Sequence, residues 1–451
     1  MGRQHMKRSI CLTVVVAIVL FCCTAESDEL ADRAERAMKR ATEYFRSIST
    51  NGGYAGIYSL DLQQRYGEAV YEKAALGEIW VQPPGTPSVG RCFLTAYQLT
   101  KDSDYLNGAR EAGRALAWGQ RQEGGWDHRV DVTHMKAGSD RVERLSGRCA
   151  LDDNITQGAL TYLIDLDDVI DESWLSESIR IGLDFMIESQ FSNGAWPQWY
   201  PLIGGYHDYY TFNDNTINDC IILMLKAHRT YGDKRYLESA EKGGDFIIIS
   251  QLPSPQTGWA QQYSHDMKPA WARAFEPPAV CSAVTSRNIR TLVDLYHYTG
   301  DERYLEPIPS AITWLEKSKL DDNLWARMYE VGTNVPIYGD RDSKVHYTLE
   351  EISEERRRGY SWQSSFGVES AIRMYQDART SGPKGNDARD TDFSPARKRE
   401  RAKTLAPDVR AVIESLDDKG RWVNAEDSMI YSRDFVRNFT ILCSYLEAVG
   451  D

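Results

Sequence analysis

No apolar run in this chain is long enough to cross a bilayer: the longest, Ile10 to Phe21, has about twelve residues where a spanning helix needs roughly 20. Positive charge is also short, with 53 Lys and Arg against 66 Asp and Glu and a net charge of −13. That balance removes any general electrostatic basis for binding nucleic acid or an anionic membrane surface, so an anionic ligand must meet a local basic cluster. Paired cysteine spacing is missing. Beyond the N-terminal stretch only Cys92, Cys149, Cys220, Cys281 and Cys443 remain, an odd and scattered set that suits neither a disulfide framework nor a zinc site and reads as buried small hydrophobes. With 33 Gly, 16 Pro and 42% apolar residues among 451, collagen-like and disordered chains are excluded. The length admits one large domain or two to three ordinary ones.

The first residues have the form of an export signal: Arg3, Lys7 and Arg8 precede the apolar run, and Cys23-Thr24-Ala25 offers small residues for cleavage. Residues 1–25 are therefore expected to leave as a secretory signal peptide, taking three cations and no acid and leaving a charge of −16. The protein is expected to be secreted or periplasmic, with no stable membrane insertion after that removal. The 12 Trp and 25 Tyr fit a carbohydrate cleft and a large aromatic core equally well.

What the chain has in quantity is repetition. Asp102-Ser103-Asp104-Tyr105-Leu106, Asp233-Lys234-Arg235-Tyr236-Leu237 and Asp301-Glu302-Arg303-Tyr304-Leu305 each set an Asp where a helix N-cap is wanted. Each following helix leads to a Trp loop, at Trp126, Trp259 and Trp325. A divergent copy opens at Ser173-Trp174-Leu175 and ends at Trp196, so the four tryptophans are 70, 63 and 66 residues apart. Ile217, Cys220, Ile221, Met224 and Leu225, like Ile289, Leu292, Val293 and Tyr296, follow helical spacing, and strand alternation is scarce. Helix pairs repeating at this interval bury their apolar faces by stacking. The expected fold is all-α: repeated helix hairpins forming a partial (α/α) toroid, with the Trp loops gathered at one end as a cleft. We expect a catalytic domain over 26–376, a linker or mobile insert over 377–400, where apolar residues almost vanish, and a C-terminal helical segment, 401–451, packing back on the toroid.

Three loop clusters stand out. Leu151-Asp152-Asp153-Asn154-Ile155-Thr156 and Phe212-Asn213-Asp214-Asn215-Thr216 have one form ahead of consecutive helices. Their acids suit either helix capping or, if the two repeats lie side by side, a cation bound by the hard oxygens of Asp152 or Asp153, Asn154 and Asp214. The third cluster is basic: Lys268 to Pro278, with Arg273, then Arg327 in a matching Trp-Ala-Arg frame, then Arg341 between two acids. Ordinary surface ion pairs are the competing reading.

Gly194-Ala195-Trp196-Pro197-Gln198-Trp199-Tyr200-Pro201, Phe212-Asn213-Asp214-Asn215, Gly258-Trp259-Ala260-Gln261-Gln262-Tyr263 and Lys268 to Pro278 together resemble the pectate lyases of polysaccharide lyase family 10, over roughly Ala31 to Trp362. The resemblance implies a partly toroidal helical fold, a secreted life, Ca²⁺ dependence, and β-elimination of polygalacturonate or a pectic oligosaccharide by a monomer. By motif, Arg273 resembles the catalytic base, and Asp153 (or Asp152), Asn154 and Asp214 the calcium-handling group. Lys268, Arg327, Arg341, Trp196 and Trp259 resemble substrate-binding residues. Val335 stands where an Arg often follows Thr-Asn, and Arg287 lies in an altered Ser/Glu pattern; both bear on subsite detail.

These residue types suit the reaction. Removing the C5 proton of a uronate builds charge on a carboxylate that is already anionic, and a cation with guanidinium forks stabilises that charge. An Arg base has to lose a proton held above about 12. Nearby cations and exclusion of water are expected to lower that value. A glycoside hydrolase would instead use Asp153 and Asp214 as acid and base, and a non-catalytic sugar-binding protein would use the Trp and Arg clusters alone.

Overall fold

The computed structural model describes residues 28–135, 144–385 and 394–450; the expected signal peptide lies outside them. The fold is an all-α partial toroid of helix hairpins. A helix through 28–47 (α1) is followed by α2 (Thr86–Thr100), α3 (Ser103–Gly119), α4 (Ile155–Asp167), α5 (Ser173–Glu188), α6 (Thr216–Tyr231), α7 (Lys234–Ile249), α8 (Ser282–Thr299) and α9 (Ile308–Lys317). After a short α10 (Glu354–Gly359) come α11 (Val368–Ser381), α12 (Pro395–Glu414) and α13 (Ser432–Val449). Helices α2, α4, α6 and α8 pack side by side as one layer, and α3, α5 and α7 back them as a second. At the far end α11 packs on α8. At the near end α13, paired with α12, packs on α2, so the C-terminal segment extends the ring. Helices α11 and α12 run into both ends of the stretch expected as a linker, of which residues 386–393 are not described.

The expected caps form. Asp102, Asp233 and Asp301 each accept a backbone N–H two residues on, at 2.9–3.0 Å, and the periodic apolar residues of α6 and α8 are buried in one continuous core. All five cysteines are free and buried. Short strands, none longer than four residues among those described, lie in the loops; one pair, Ile57–Ser59 with Met429–Tyr431, ties the N-terminal region to the C-terminal one.

The tryptophans explain how the loops are held. Trp126, Trp196, Trp325 and Trp422 each donate from Nε1 to the carbonyl ten residues earlier, in α3, α5, α9 and α12, at 2.8–3.0 Å. Trp259 does the same to Ile247 in α7 at 2.7 Å. Each indole thus bonds a carbonyl in the last turns of its helix, where intrahelical partners run out, and fastens the start of the following loop. Trp422 makes the tail a fifth copy of the repeat, beyond the four visible in the sequence.

Gly194 shows how tightly one loop is fastened. Its φ is +94°, and a Cβ there would fall 2.0 Å from the Lys242 carbonyl oxygen of α7. Gly194→Ala adds an unfavourable backbone conformation to a clash with backbone that has no rotamer to yield, and is expected to cost about 2–5 kcal/mol, measured as a lowered denaturation midpoint.

Candidate active site

Two turns of equivalent shape open the site. Asp152–Asn154 and Asn213–Asn215 are single 3₁₀ turns ahead of α4 and α6, and they pack against each other. In each, consecutive Asp and Asn residues adopt the left-handed region: Asp153 at φ 50°, Asn154 at 56°, Asp214 at 48° and Asn215 at 64°. Short polar side chains tolerate that region best, and two matched pairs of such residues mark a place where the backbone is held for a purpose. Neither α4 nor α6 has a side-chain N-cap, so capping does not account for these acids.

The paired turns bring three carboxylates together. Burial pushes Asp153 up to about 7, with the charges of Asp214 and Asp152 adding to it. Burial likewise lifts Asp152 to about 6; His128 opposes the rise and Asp214 reinforces it. Asp214, whose side chain is 39% exposed, is raised by desolvation against the pull of Arg273. Carboxylates that repel one another in a recess are poised for a cation.

Arg273 lies against them, Nη2 3.7 Å from Asp214 Oδ2. It is fixed by Glu276, whose carboxylate is buried: Nε donates to Oε2 at 2.8 Å, Nη2 to Oε1 at 2.6 Å, and the backbone N–H to Oε2 at 3.1 Å. Tyr360 hydroxyl donates to Glu276 Oε1 at 3.0 Å from the other side. Burial works to lower the Arg273 pKa, but the hydrogen bonds of Glu276 and the charges of Glu276 and Asp214 overcome it and hold the proton more firmly than usual. This reverses the expected direction. The acid three residues on, Glu276, which stands in the same short motif, outweighs any cation near Arg273 among the described residues.

Arg327 sits between the rings of Tyr360 and Phe366, 4.7 and 5.1 Å from their centroids. Its Nε donates to the Ser361 carbonyl at 2.7 Å, which leaves both terminal nitrogens for a carboxylate. Arg341 and Arg273 lie over the same Phe275 ring, at 5.7 and 5.0 Å, and Arg341 is also paired with Glu355.

Other expected residues are placed differently. Trp196 and Trp259 are wholly buried and serve as loop fasteners, so they cannot touch a sugar. Lys268 is 77% exposed and paired with Asp266 at 2.7 Å, with no bond to the Arg273 group. Asn154 lines a cavity of about 470 Å³ between α2 and α13. Near the acids the structure adds residues with no clear sequence signal: His128, Asp127 and Arg148, the last lying 3.7 Å over the Trp199 ring, which also stacks on His207 at 4.0 Å. Trp271, two residues before Arg273, is 36% exposed.

The turns and loops of the helical toroid thus set Asp153, Asp214 and Arg273 near one another. The family model described as pectic acid lyase matches residues 120–323 and 322–370, more than half of the chain, and the chain belongs to that family: it is a pectate lyase, as the resemblance to family 10 implied. A family 10 polysaccharide lyase from Cellvibrio cellulosa is similar in structure, with a TM-score of 0.51 at 22% identity over 65% of this chain and 96% of that one. A mutant of the Cellvibrio enzyme in complex with trigalacturonic acid gives 0.52 at 21% identity over 65% and 97%. No curated protein matches the chain.

Proposed function

We propose that this lyase is a secreted, calcium-dependent enzyme that cleaves polygalacturonate by β-elimination, with Arg273 as base. The observation that carries this reading is the contact of Arg273 with Asp214, on a turn packed against the one bearing Asp153. The donor set fits calcium, since Asp153 and Asp214 offer hard carboxylate oxygens, and the charge of Asp214 adds to the proton affinity that burial gives Asp153. Bound there, calcium would neutralise a uronate carboxylate and so acidify its C5 proton.

The protein's own residues do the rest. Glu276 occupies Nε and Nη2 of Arg273 and fixes the plane of the guanidinium, leaving Nη1 for the substrate proton. Arg327 presents its two terminal nitrogens to a uronate carboxylate, a planar bidentate match that lysine lacks. Arg341 assists from across Phe275. Engaging Asp214 with a cation removes one of the charges that raise Arg273. The leader around Arg3, Lys7 and Arg8 supports export, and no helix of the described residues is long and apolar enough to cross a membrane.

Two measurements test this. Purified protein with polygalacturonate should give rising near-ultraviolet absorbance from unsaturated ends, and a calcium chelator should stop it; new reducing ends without that absorbance would mean hydrolysis. Because the Arg273 pKa lies above its ordinary value, the neutral base gains about tenfold per pH unit with no plateau in the accessible range. The logarithm of kcat/KM should therefore climb with a slope near one through alkaline pH, and a plateau below about pH 9 would assign the base to another group.

A further inference from the structure

One element at the cleft has no task in the mechanism above. Strands Arg65–Tyr66 and Lys73–Ala74 pair as an antiparallel hairpin, ahead of the stretch matched by the family model. Its tip is held by its own bonds. The Gly67 N–H donates to the Glu72 carbonyl and the Glu72 N–H to the Ala69 carbonyl, both at 2.9 Å, and the Glu68 N–H donates to Glu72 Oε2 at 3.0 Å. The root rests on Trp80: a Cβ on Gly67 would fall 2.2 Å from that ring, so glycine is what lets the backbone lie so close. Trp80 in turn meets His128 edge to face, with centroids 6.4 Å apart, and His128 lies beside Asp152 and Asp153.

From that root the hairpin reaches toward the arginines. Burial, then Asp214 and Asp152, raise Asp153, and Glu68 is near enough to add to them. Arg341, raised mainly by its pairing with Glu355, feels the Tyr71 hydroxyl as well. Tyr71 stands at the tip, 83% exposed, more than any other large apolar or aromatic side chain among the described residues. A uronate carries two chemistries that suit this pair: a face of ring C–H bonds, which an aromatic ring covers, and a carboxylate at its edge, which a guanidinium binds.

We propose that Tyr71 is a further substrate-binding residue, its ring stacking on the face of a uronate whose carboxylate Arg341 holds. The proposal rests on the reading of this cleft as the polygalacturonate site, and it is independent of which group is the base.

The test uses Tyr71→Ala, Tyr71→Phe and Tyr71→Trp in the full-length protein, with steady-state kinetics on polygalacturonate. A stack is present in ground and transition states alike, so Tyr71→Ala should raise KM about tenfold and leave kcat within about twofold. Tyr71→Phe and Tyr71→Trp keep the ring and should stay within about twofold of the parent KM. Calorimetric binding of hexagalacturonate, in an Arg273→Ala background, should weaken with Tyr71→Ala by the same factor as KM rises. In a double-mutant cycle, Tyr71→Ala and Arg341→Ala should be non-additive, because both groups hold one sugar. Failure of the functional reading would show as absence of unsaturated ends from the parent, or as turnover in the Arg273→Ala background; failure of this proposal would show in the Tyr71 variants. Unchanged KM and affinity in Tyr71→Ala, a loss confined to kcat, or a Tyr71→Phe variant as impaired as Tyr71→Ala would overturn it, the last by assigning the effect to the hydroxyl.

Discussion

Arg273→Ala is expected to lower kcat/KM on polygalacturonate by about 10⁴-fold or more while leaving the fold intact. The size follows from what the residue does: a positioned base contributes about 10²–10⁴-fold, and a guanidinium beside the developing charge adds an electrostatic share. Arg273→Lys is expected to fare little better, because an ammonium cannot make the two parallel bonds to Glu276 that set the plane of the guanidinium. Oligosaccharide affinity should change much less than turnover, since Arg327 and Arg341 remain. Steady-state kinetics together with calorimetric binding of trigalacturonate separate the two effects. A variant that keeps turnover within tenfold of the parent removes Arg273 from the chemistry.

The second large effect concerns stability. Folding lifts Asp153 from an ordinary carboxylate value to about 7, so the ion-free folded state binds more protons than the unfolded chain between those pH values. Stability of the chelator-treated protein should therefore fall as pH rises through that window. Added calcium should restore it above pH 7, by about 2.7 kcal/mol at an ion concentration 100 times Kd. Asp153→Asn keeps a residue that accepts a left-handed φ and removes one of the repelling charges. It should be more stable than the parent without calcium at pH 8 and gain nothing when calcium is added. Thermal melts at pH 5 and pH 8, with and without calcium, measure all of this; equal calcium stabilisation of parent and variant would take Asp153 out of the ion site.

The residues that were legible in advance are those whose role is local. Asp102, Asp233 and Asp301 cap helices through a contact two residues away, and the apolar stripes of α6 and α8 follow from helical period alone. Asp153 and Asp214 were visible because the repeat copies them, and stacked repeats place equivalent turns together. Trp196 and Trp259 were misread because exposed and buried indoles look alike in a sequence; only the bond back to the preceding helix shows which they are. Arg273 was found but not its state, since proton affinity depends on the fork of Glu276 closing on it. His128 gave no sign, because its partners Asp152 and Asp153 lie some two dozen residues on, across the gap between two loops.

The indole bonds at the roots of the loops separate the architecture of the ring from the identity of the site. Since each Trp secures its segment before the chain leaves the helical layer, whatever follows can lengthen, shorten or change chemistry without loosening the stack beneath. A scaffold built this way lets sugar specificity be altered one loop at a time, and grafting a segment between the Trp root and the next inner helix is the natural way to redesign it.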